Sequence, residues 1–243
     1  MRLSSVLLVL SVSCFASYAA DACDCSHFPI KPTACVPECL RDRLNAAADV
    51  LASFNGAPDK SVPQELIAKA ECVVIVPGVK KASFTVGAQY GHGFAVCRRG
   101  SGPGWTAPAA IRMEGGSFGF QLGVSGGDLL LLVMNRSGVK RLLGNKSTLG
   151  DEATVAAGPV GREGIAQTDA LMHAEVLSYA RSAGSIAGIS LLGATIRPDD
   201  EVNQQLYGQA VSNREVLTGE VKATAAASKL EAVLSRDLTR TAR

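Results

Sequence analysis

The stretch Ala82-Ser83-Phe84-Thr85-Val86-Gly87-Ala88-Gln89-Tyr90 decides the fold class. Its period is two, with Ala82, Phe84, Val86, Ala88 and Tyr90 on one face and polar or small residues on the other, the pattern of a strand with one buried face. Further short runs separated by glycine lie around it: Cys72 to Val76, Gly93 to Cys97, Trp105 to Met113, Ser117 to Gly123 and Asp128 to Met134. Strands at this spacing predict an antiparallel meander, sandwich or barrel. Asp128-Leu129-Leu130-Leu131-Leu132-Val133-Met134 is apolar on both faces, as suits a central strand covered by helices, and it is too short to span a bilayer. Two later apolar segments, Glu175 to Tyr179 and Ser185 to Ile196, surround Arg181-Ser182-Ala183-Gly184 and predict a hairpin, with a helix over Leu171 to Tyr179 as the alternative that propensity leaves open.

Helices are expected on either side of these strands. Leu40, Leu44, Ala47, Leu51 and Phe54 form an apolar seam at helical spacing, with Arg41, Asp42, Arg43, Asn45 and Asp49 outside it and Asn55-Gly56 as the stop. Ser61-Val62-Pro63-Gln64 supplies an N-cap and an early proline for a short second helix to about Ala70. Past Pro198, the acidic start and terminal glycine of Asp199 to Gly208 predict another short helix. Val221 to Leu238 predicts a last one whose apolar positions are imperfectly spaced, so that it either lies loosely on the body or frays near its basic end. The fold class is therefore α+β, a bent antiparallel sheet or partial β-barrel packed by N- and C-terminal helices.

The chain has 243 residues, 47% of them hydrophobic and 19% charged, with a formal net charge of +2. This composition excludes wholesale disorder, and its near-neutral charge argues against a generic nucleic-acid binder, which needs a strongly basic face. No cofactor is expected. Met1-Arg2, the apolar run Val6 to Ala16 and the small residues before Asp21 read as a signal peptide over 1–20, which implies an exported protein, periplasmic or secreted. The lipobox-like Leu10-Ser11-Val12-Ser13-Cys14 carries Ser11 where such boxes usually have Leu. A Cys/Pro-rich extension over 21–39 follows, with Cys23, Cys25, Cys35 and Cys39 as disulfide candidates in any of three pairings; zinc held by these cysteines with His27 competes, against the C-x-C spacing. Cys72 and Cys97 are either buried thiols or a third bridge. The main domain is expected over 40–219 and a helical tail over 220–243.

Short motifs suggest enzymes and fail on context. Gly115-Gly116-Ser117-Phe118-Gly119 and Gly123-Val124-Ser125-Gly126-Gly127 both satisfy G-x-S-x-G, but each lies in an expected strand or hairpin with no helix after it. The available bases are His27, His92 and His173. Gly144-Asn145-Lys146-Ser147-Thr148 lacks the leading glycine and strand of a phosphate loop and reads as a turn, and the three scattered histidines form no metal-ligand cluster. Lys80, Lys81, Arg98, Arg99, Arg112, Lys140, Arg141, Lys146 and Arg162 fall at expected strand ends and turns, where they form either one basic rim able to hold phosphate head groups or ordinary solvated turns.

A set of ordered motifs then stands out. These are Val76-Pro77-Gly78-Val79-Lys80-Lys81-Ala82, Gly87 to Gly93 with Cys97-Arg98, Gly104-Trp105-Thr106-Ala107-Pro108, Gly119-Phe120-Gln121-Leu122-Gly123, Asp128 with Val133-Met134-Asn135, Ala157 to Arg162, Ser178-Tyr179-Ala180-Arg181, Gly184 to Gly188 and Tyr207-Gly208. Together they resemble the lipid-binding SYLF domain family from about Leu40 to Gly219. The resemblance implies a non-enzymatic module that meets membranes through acidic phospholipids, and in some eukaryotic members also actin. It implies an amphipathic N-terminal helix, here with Arg41 and Arg43, acting beside basic residues of the domain. In an exported chain the transferable part is affinity for an anionic phospholipid or membrane surface. The competing classes are an exported serine hydrolase using Ser117 or Ser125 and a structural domain that binds an envelope protein.

Overall fold

A computed structural model describes residues 36–55, 61–83, 87–100, 104–116, 127–144, 147–148, 155–161, 174–182, 184–189, 191 and 193–238. The signal peptide expected over 1–20, Cys14, Cys23, Cys25, Cys35, His27, Ser117, Ser125, Lys146, Arg162 and His173 lie outside the described residues. So does the strand expected over Ser117 to Gly123.

Two helices lead in, α1 (Glu38–Phe54) and α2 (Gln64–Lys69). The central strands follow: β1 (Cys72–Ser83), β2 (Gly87–Cys97), β3 (Ala109–Gly116) and β4 (Gly127–Val133). Helix α3 (Arg136–Leu142) and the short β5 (Ser147–Thr148) and β6 (Val155–Ala157) come next. The hairpin of β7 (Val176–Ser182) and β8 (Ser185–Gly188) then precedes β9 (Ala194–Pro198). The chain closes with α4 (Asp200–Tyr207), α5 (Asn213–Thr218), a 3-10 turn and α6 (Ser228–Asp237). The strands form one curled sheet in the order β5-β9-β3-β2-β1-β4-β7-β6, with β8 paired to β7. It is mixed rather than purely antiparallel, because β6 runs parallel to β7. The α+β half-barrel with flanking helices expected from the sequence is what the structure shows.

The opening stretch Ala82 to Tyr90 is not one strand but the two arms of a hairpin. Ala82 faces Ala88 and Ser83 faces Gly87 across β1 and β2. Directly opposed residues share a sheet face, and these partners are both even or both odd in number, so the alternation continues across the reversal as though the chain had not turned. Farther along β1 the register slips between Ile75 and Lys80, at Val76-Pro77-Gly78-Val79, where Gly78 takes a φ of 56°. A bulge is where a strand accommodates proline and a left-handed residue.

Both sheet faces are buried over much of their area. One carries Val73, Ile75, Phe94, Val96, Ala110, Leu130, Leu132, Leu177 and Tyr179 in a core shared with α1, α2, α4 and α6. The other carries Val74, Val76, Ala95, Ile111, Met113, Leu129, Leu131 and Val133 against Leu142 of α3 and Val216 and Leu217 of α5. Strands are so close at β1 and β2 that a Cβ on Gly93 would fall 2.0 Å from the Ile75 carbonyl oxygen. Cys72 and Cys97 face each other in register with Cα atoms 4.0 Å apart and are joined by a disulfide, which settles the choice between thiols and a bridge.

Three local expectations change. Leu40, Leu44, Ala47, Leu51 and Phe54 of α1 are all buried in the core, so of the two uses open to this apolar seam, packing on the sheet and partial burial in a membrane, the first is the one it takes. The last helix is not loose, since Leu230, Val233, Leu234 and Leu238 belong to that same core and Lys229 Nζ reaches Asp49 of α1 at 2.8 Å. Helix α2 begins at Gln64 and makes no side-chain cap, so Ser61 does not act as one.

Candidate functional site

The helices cover only part of their sheet face. Following the alternation outward from the buried Ile75, Phe94, Ala110, Leu130 and Tyr179 brings up polar side chains on the same face. These are Lys80 opposite Tyr90, His92 opposite Arg112, Arg112 opposite Arg197, and Asp128 opposite Arg181. Neighbouring strands lie about 4.8 Å apart, so β7, β4, β1, β2, β3 and β9 together present a band of charges across the half that the described helices leave bare. Asp128 accepts from both Nε and Nη2 of Arg181 at 3.2 and 2.7 Å, and its other oxygen takes the Gly78 amide at 3.0 Å, pinning the bulge. Glu114 sits between Arg112 and Arg197, with Nε to carboxylate distances of 3.5 and 3.6 Å.

A hydrogen-bonded chain runs through the centre of this band. The Nδ1 atom of His92 lies 3.0 Å from Asp199 Oδ2, and the hydroxyl of Tyr90 meets His92 Nε2. Asp199 is the N-cap of α4, and its other oxygen accepts the Val202 amide. Burial works to raise the Asp199 carboxyl. The hydrogen bond and charge of His92, the Val202 amide and the nearby Arg112 outweigh it and hold the group below the usual carboxylate range. In the neutral imidazole an ionised Asp199 takes the Nδ1 proton as its hydrogen bond, which leaves Nε2 as the acceptor for the phenol. Asp199 is 6% exposed, whereas Tyr90 is 44% exposed and lies open to solvent at the end of the chain.

The basic residues predicted to share one rim are distributed instead over separate places. Lys80 and Arg112 belong to the band. Lys81, next to Lys80 on β1, opposes Gln89. Arg98 lies nine residues farther along β2 than Gln89, about 30 Å away at ~3.3 Å per residue. It does an internal job. Its Nε donates to Ala70 O at 2.8 Å, its Nη2 reaches the carbonyls of Ile67, Ala68 and Leu238, and its guanidinium lies 4.4 Å from the Trp105 ring centroid. That guanidinium thus binds the C-terminal carbonyls of α2 and the end of α6. Arg99, also at this end, donates to Trp105 O. Lys140 and Arg141 are not at a strand end but on α3, with Arg141 Nε 2.6 Å from Glu175. Beside that pair, a shallow cleft is lined by Val74, Leu131, Leu142 and Ile196. Arg41 is exposed on α1 and Arg43 is half-buried. Cys39 is in α1, half-buried, while the other three cysteines proposed to pair with it lie outside the described residues.

Sequence reasoning passed over Arg181, Arg197 and the Tyr90-His92-Asp199 chain. Asp199 was legible only as the start of a helix, and no local pattern joins it to a histidine 107 positions earlier. Helices α3 and α5 were also missed, although Asn135 caps the first through the Gly138 amide and Ser212 with Glu215 forms a capping box on the second. Both caps were readable.

The described residues thus form an α+β half-barrel whose charged half-face is not covered by any described helix. Residues 114–237 match the family Ysc84, described as Las17-binding protein actin regulator. The bovine SH3 domain-containing YSC84-like protein 1 is 35% identical over 205 residues, covering 82% of this chain and 60% of the relative, and the human protein of that name is 34% identical over 205 residues. LAS seventeen-binding protein 3 of Saccharomyces cerevisiae is 32% identical over 208 residues, which is 45% of its length. The chain belongs to the Ysc84, or SYLF, family. It spans between about half and three fifths of the length of these relatives.

Proposed function

We propose that the protein is an exported, non-catalytic module that associates peripherally with anionic phospholipid surfaces through the charged band. The observation that carries this reading is the gathering of Lys80, Arg112, Arg181 and Arg197 from neighbouring strands onto one face that no described helix covers. Each cation near an anionic surface contributes about 1 kcal/mol. Since the apolar seam of α1 is core, the association is electrostatic and lies flat on the surface, without helix insertion. Export is supported by the signal-like start of the chain and by the disulfide between Cys72 and Cys97, a bond that persists in oxidising compartments. A second reading, a protein partner at the same face, draws on the family's description as Las17-binding and on the polar character of the band.

Co-sedimentation of the oxidised mature chain with neutral phosphatidylcholine vesicles and with phosphatidylglycerol-containing vesicles, at low and high salt, tests the lipid reading. Binding only to the anionic vesicles, weakened by salt and by K80A/R112A/R197A, is the expected result. No binding to either vesicle type at low salt would overturn it and leave the protein-partner reading.

A further inference from the structure

Tyr90, His92 and Asp199 are arranged as nucleophile, base and orienting carboxylate. We propose that Tyr90 is a base-activated modification site, whose phenol accepts a phosphoryl group from an activated phosphoryl donor. The geometry has the three relations that such activation requires: a hydroxyl bonded to an imidazole nitrogen, the other ring nitrogen held by a carboxylate, and that carboxylate fixed by its surroundings. Both ring nitrogens of His92 are committed to this chain, so His92 is not the base for a serine.

The other described tyrosines give the contrast. Tyr179 is fully buried and its hydroxyl has no hydrogen-bond partner, while the hydroxyl of Tyr207 donates to the Pro108 carbonyl at 2.6 Å. Burial pushes both phenols well above their ordinary range. Tyr90 alone among them joins exposure to a basic partner.

The neighbours select the electrophile. Tyr90 is opposite Lys80 on β1 and Glu114 on β3, and Arg112, the register partner of His92, stands diagonal to the phenol, so one cation lies directly across from it and a second lies on the diagonal. Arginine and lysine at this spacing suit the non-bridging oxygens of a phosphoryl group. The nearby Glu114 carboxylate is directed at Arg112 and Arg197. In the step itself the Tyr90 oxygen forms a bond to phosphorus, the bond from phosphorus to the leaving group breaks with its electron pair, and the phenolic proton passes to His92 Nε2.

A fluorophosphonate probe reports this chemistry directly, since a P–O bond forms as fluoride leaves. The folded chain is treated with the probe in the absence of lipid, so that the outcome is independent of vesicle binding, and adducts are located by peptide mass mapping. Expected is a single major adduct on Tyr90, absent in Tyr90→Phe and formed about a hundredfold more slowly in His92→Ala, in line with loss of a general base. Asp199→Asn keeps a competent helix cap but no longer fixes the imidazole, and is expected to slow labelling about tenfold and to alter its pH profile. Circular dichroism confirms that each variant is folded. No adduct on Tyr90, or labelling of Tyr90 at an unchanged rate in folded His92→Ala, would overturn the proposal. So would an adduct on Ser117 or Ser125 in its place, which would point to the serine hydrolase class.

Discussion

One sheet face is dry at one end and charged at the other, and the same strands run through both. On β2, Phe94 is buried beneath the helices, while two and four residues away His92 and Tyr90 meet solvent. On β3, Ala110 is core and Arg112 and Glu114 are surface. Alternation is identical in the two halves; what differs is whether a helix lies on top. Each half also uses its arginines differently. In the covered half Arg98 is spent on backbone carbonyls, whereas in the bare half Arg112 and Arg197 share one carboxylate and stay about 40% exposed. Cations of the first kind hold the fold, and those of the second kind are available to a partner.

The largest effect is expected where β1 and β2 pack closest. In Gly93→Val the new Cβ would fall 2.0 Å from the Ile75 carbonyl oxygen and 2.9 Å from the Val76 Cα, and backbone cannot swing aside as a side chain can. A loss of about 4 kcal/mol or more is expected, read as failure to accumulate in the soluble fraction. A soluble variant with an unchanged melting temperature would show that β1 and β2 are not packed this closely.

Next comes Arg98→Ala. It removes the donors that serve Ala70, Ile67, Ala68 and Leu238 and the contact with Trp105, leaving carbonyls at two helix ends without partners. A charged hydrogen bond contributes about 1.5 to 3 kcal/mol, and these share one guanidinium, so about 3 kcal/mol is expected in urea unfolding. Vesicle binding measured on the folded fraction should stay unchanged. Lost binding with intact stability would place Arg98 in the second class of cation and break the distinction between the halves.

The junction of the halves is sensitive to pH. The folded Asp199 carboxyl lies below its ordinary range, so its contribution is fully present above the unfolded value and is lost as pH falls through the folded one. Asp199→Asn should therefore cost about 1 to 2 kcal/mol near neutrality and progressively less in acid. The two urea denaturation curves should converge once the wild-type carboxylate is protonated. A constant difference at every pH would show that Asp199 acts through shape alone.

How far this division was legible depended on range. Alternation in β1 to β4, the helical seam of α1 and the Asp199-to-Gly208 helix are local patterns, and each appeared in the folded chain. The hairpin joining β1 to β2 was hidden because Ala82 and Ala88 fall in step between the two strands. The basic rim failed for a different reason. Lys80-Lys81 and Arg98-Arg99 look alike in sequence, but they sit at opposite ends of two long strands, and only the register shows that one pair approaches Arg112 and the other approaches Ala70. The seam of α1 was correctly seen to be apolar. What covers it, Leu230 and Leu234 from the far end of the chain, is a tertiary fact. Helix, strand and cap are properties of neighbours in sequence, whereas the bare band and its histidine chain exist only after the strands are laid side by side.

The smallest change in stability is expected from the bare half, and there it is most informative. Lys80→Ala with Arg112→Ala removes two cations from the exposed band and no core contact. Arg112 loses a half-exposed pairing with Glu114 and its charge near Asp199, and surface pairs of this kind contribute little. Stability should move by about 0.5 kcal/mol or less. If each cation contributes about 1 kcal/mol at an anionic surface, the pair accounts for roughly a thirtyfold loss of vesicle affinity at low salt, shrinking as ionic strength rises and the wild type weakens toward the variant. Stability and binding would then separate along the strands, the first governed by Gly93 and Arg98 and the second by Lys80 and Arg112. A variant that is as stable as the wild type and binds anionic vesicles equally well would show that the band is only a solvated surface, and would direct attention to α3, where Arg136, Lys140 and Arg141 are exposed on the other side of the sheet.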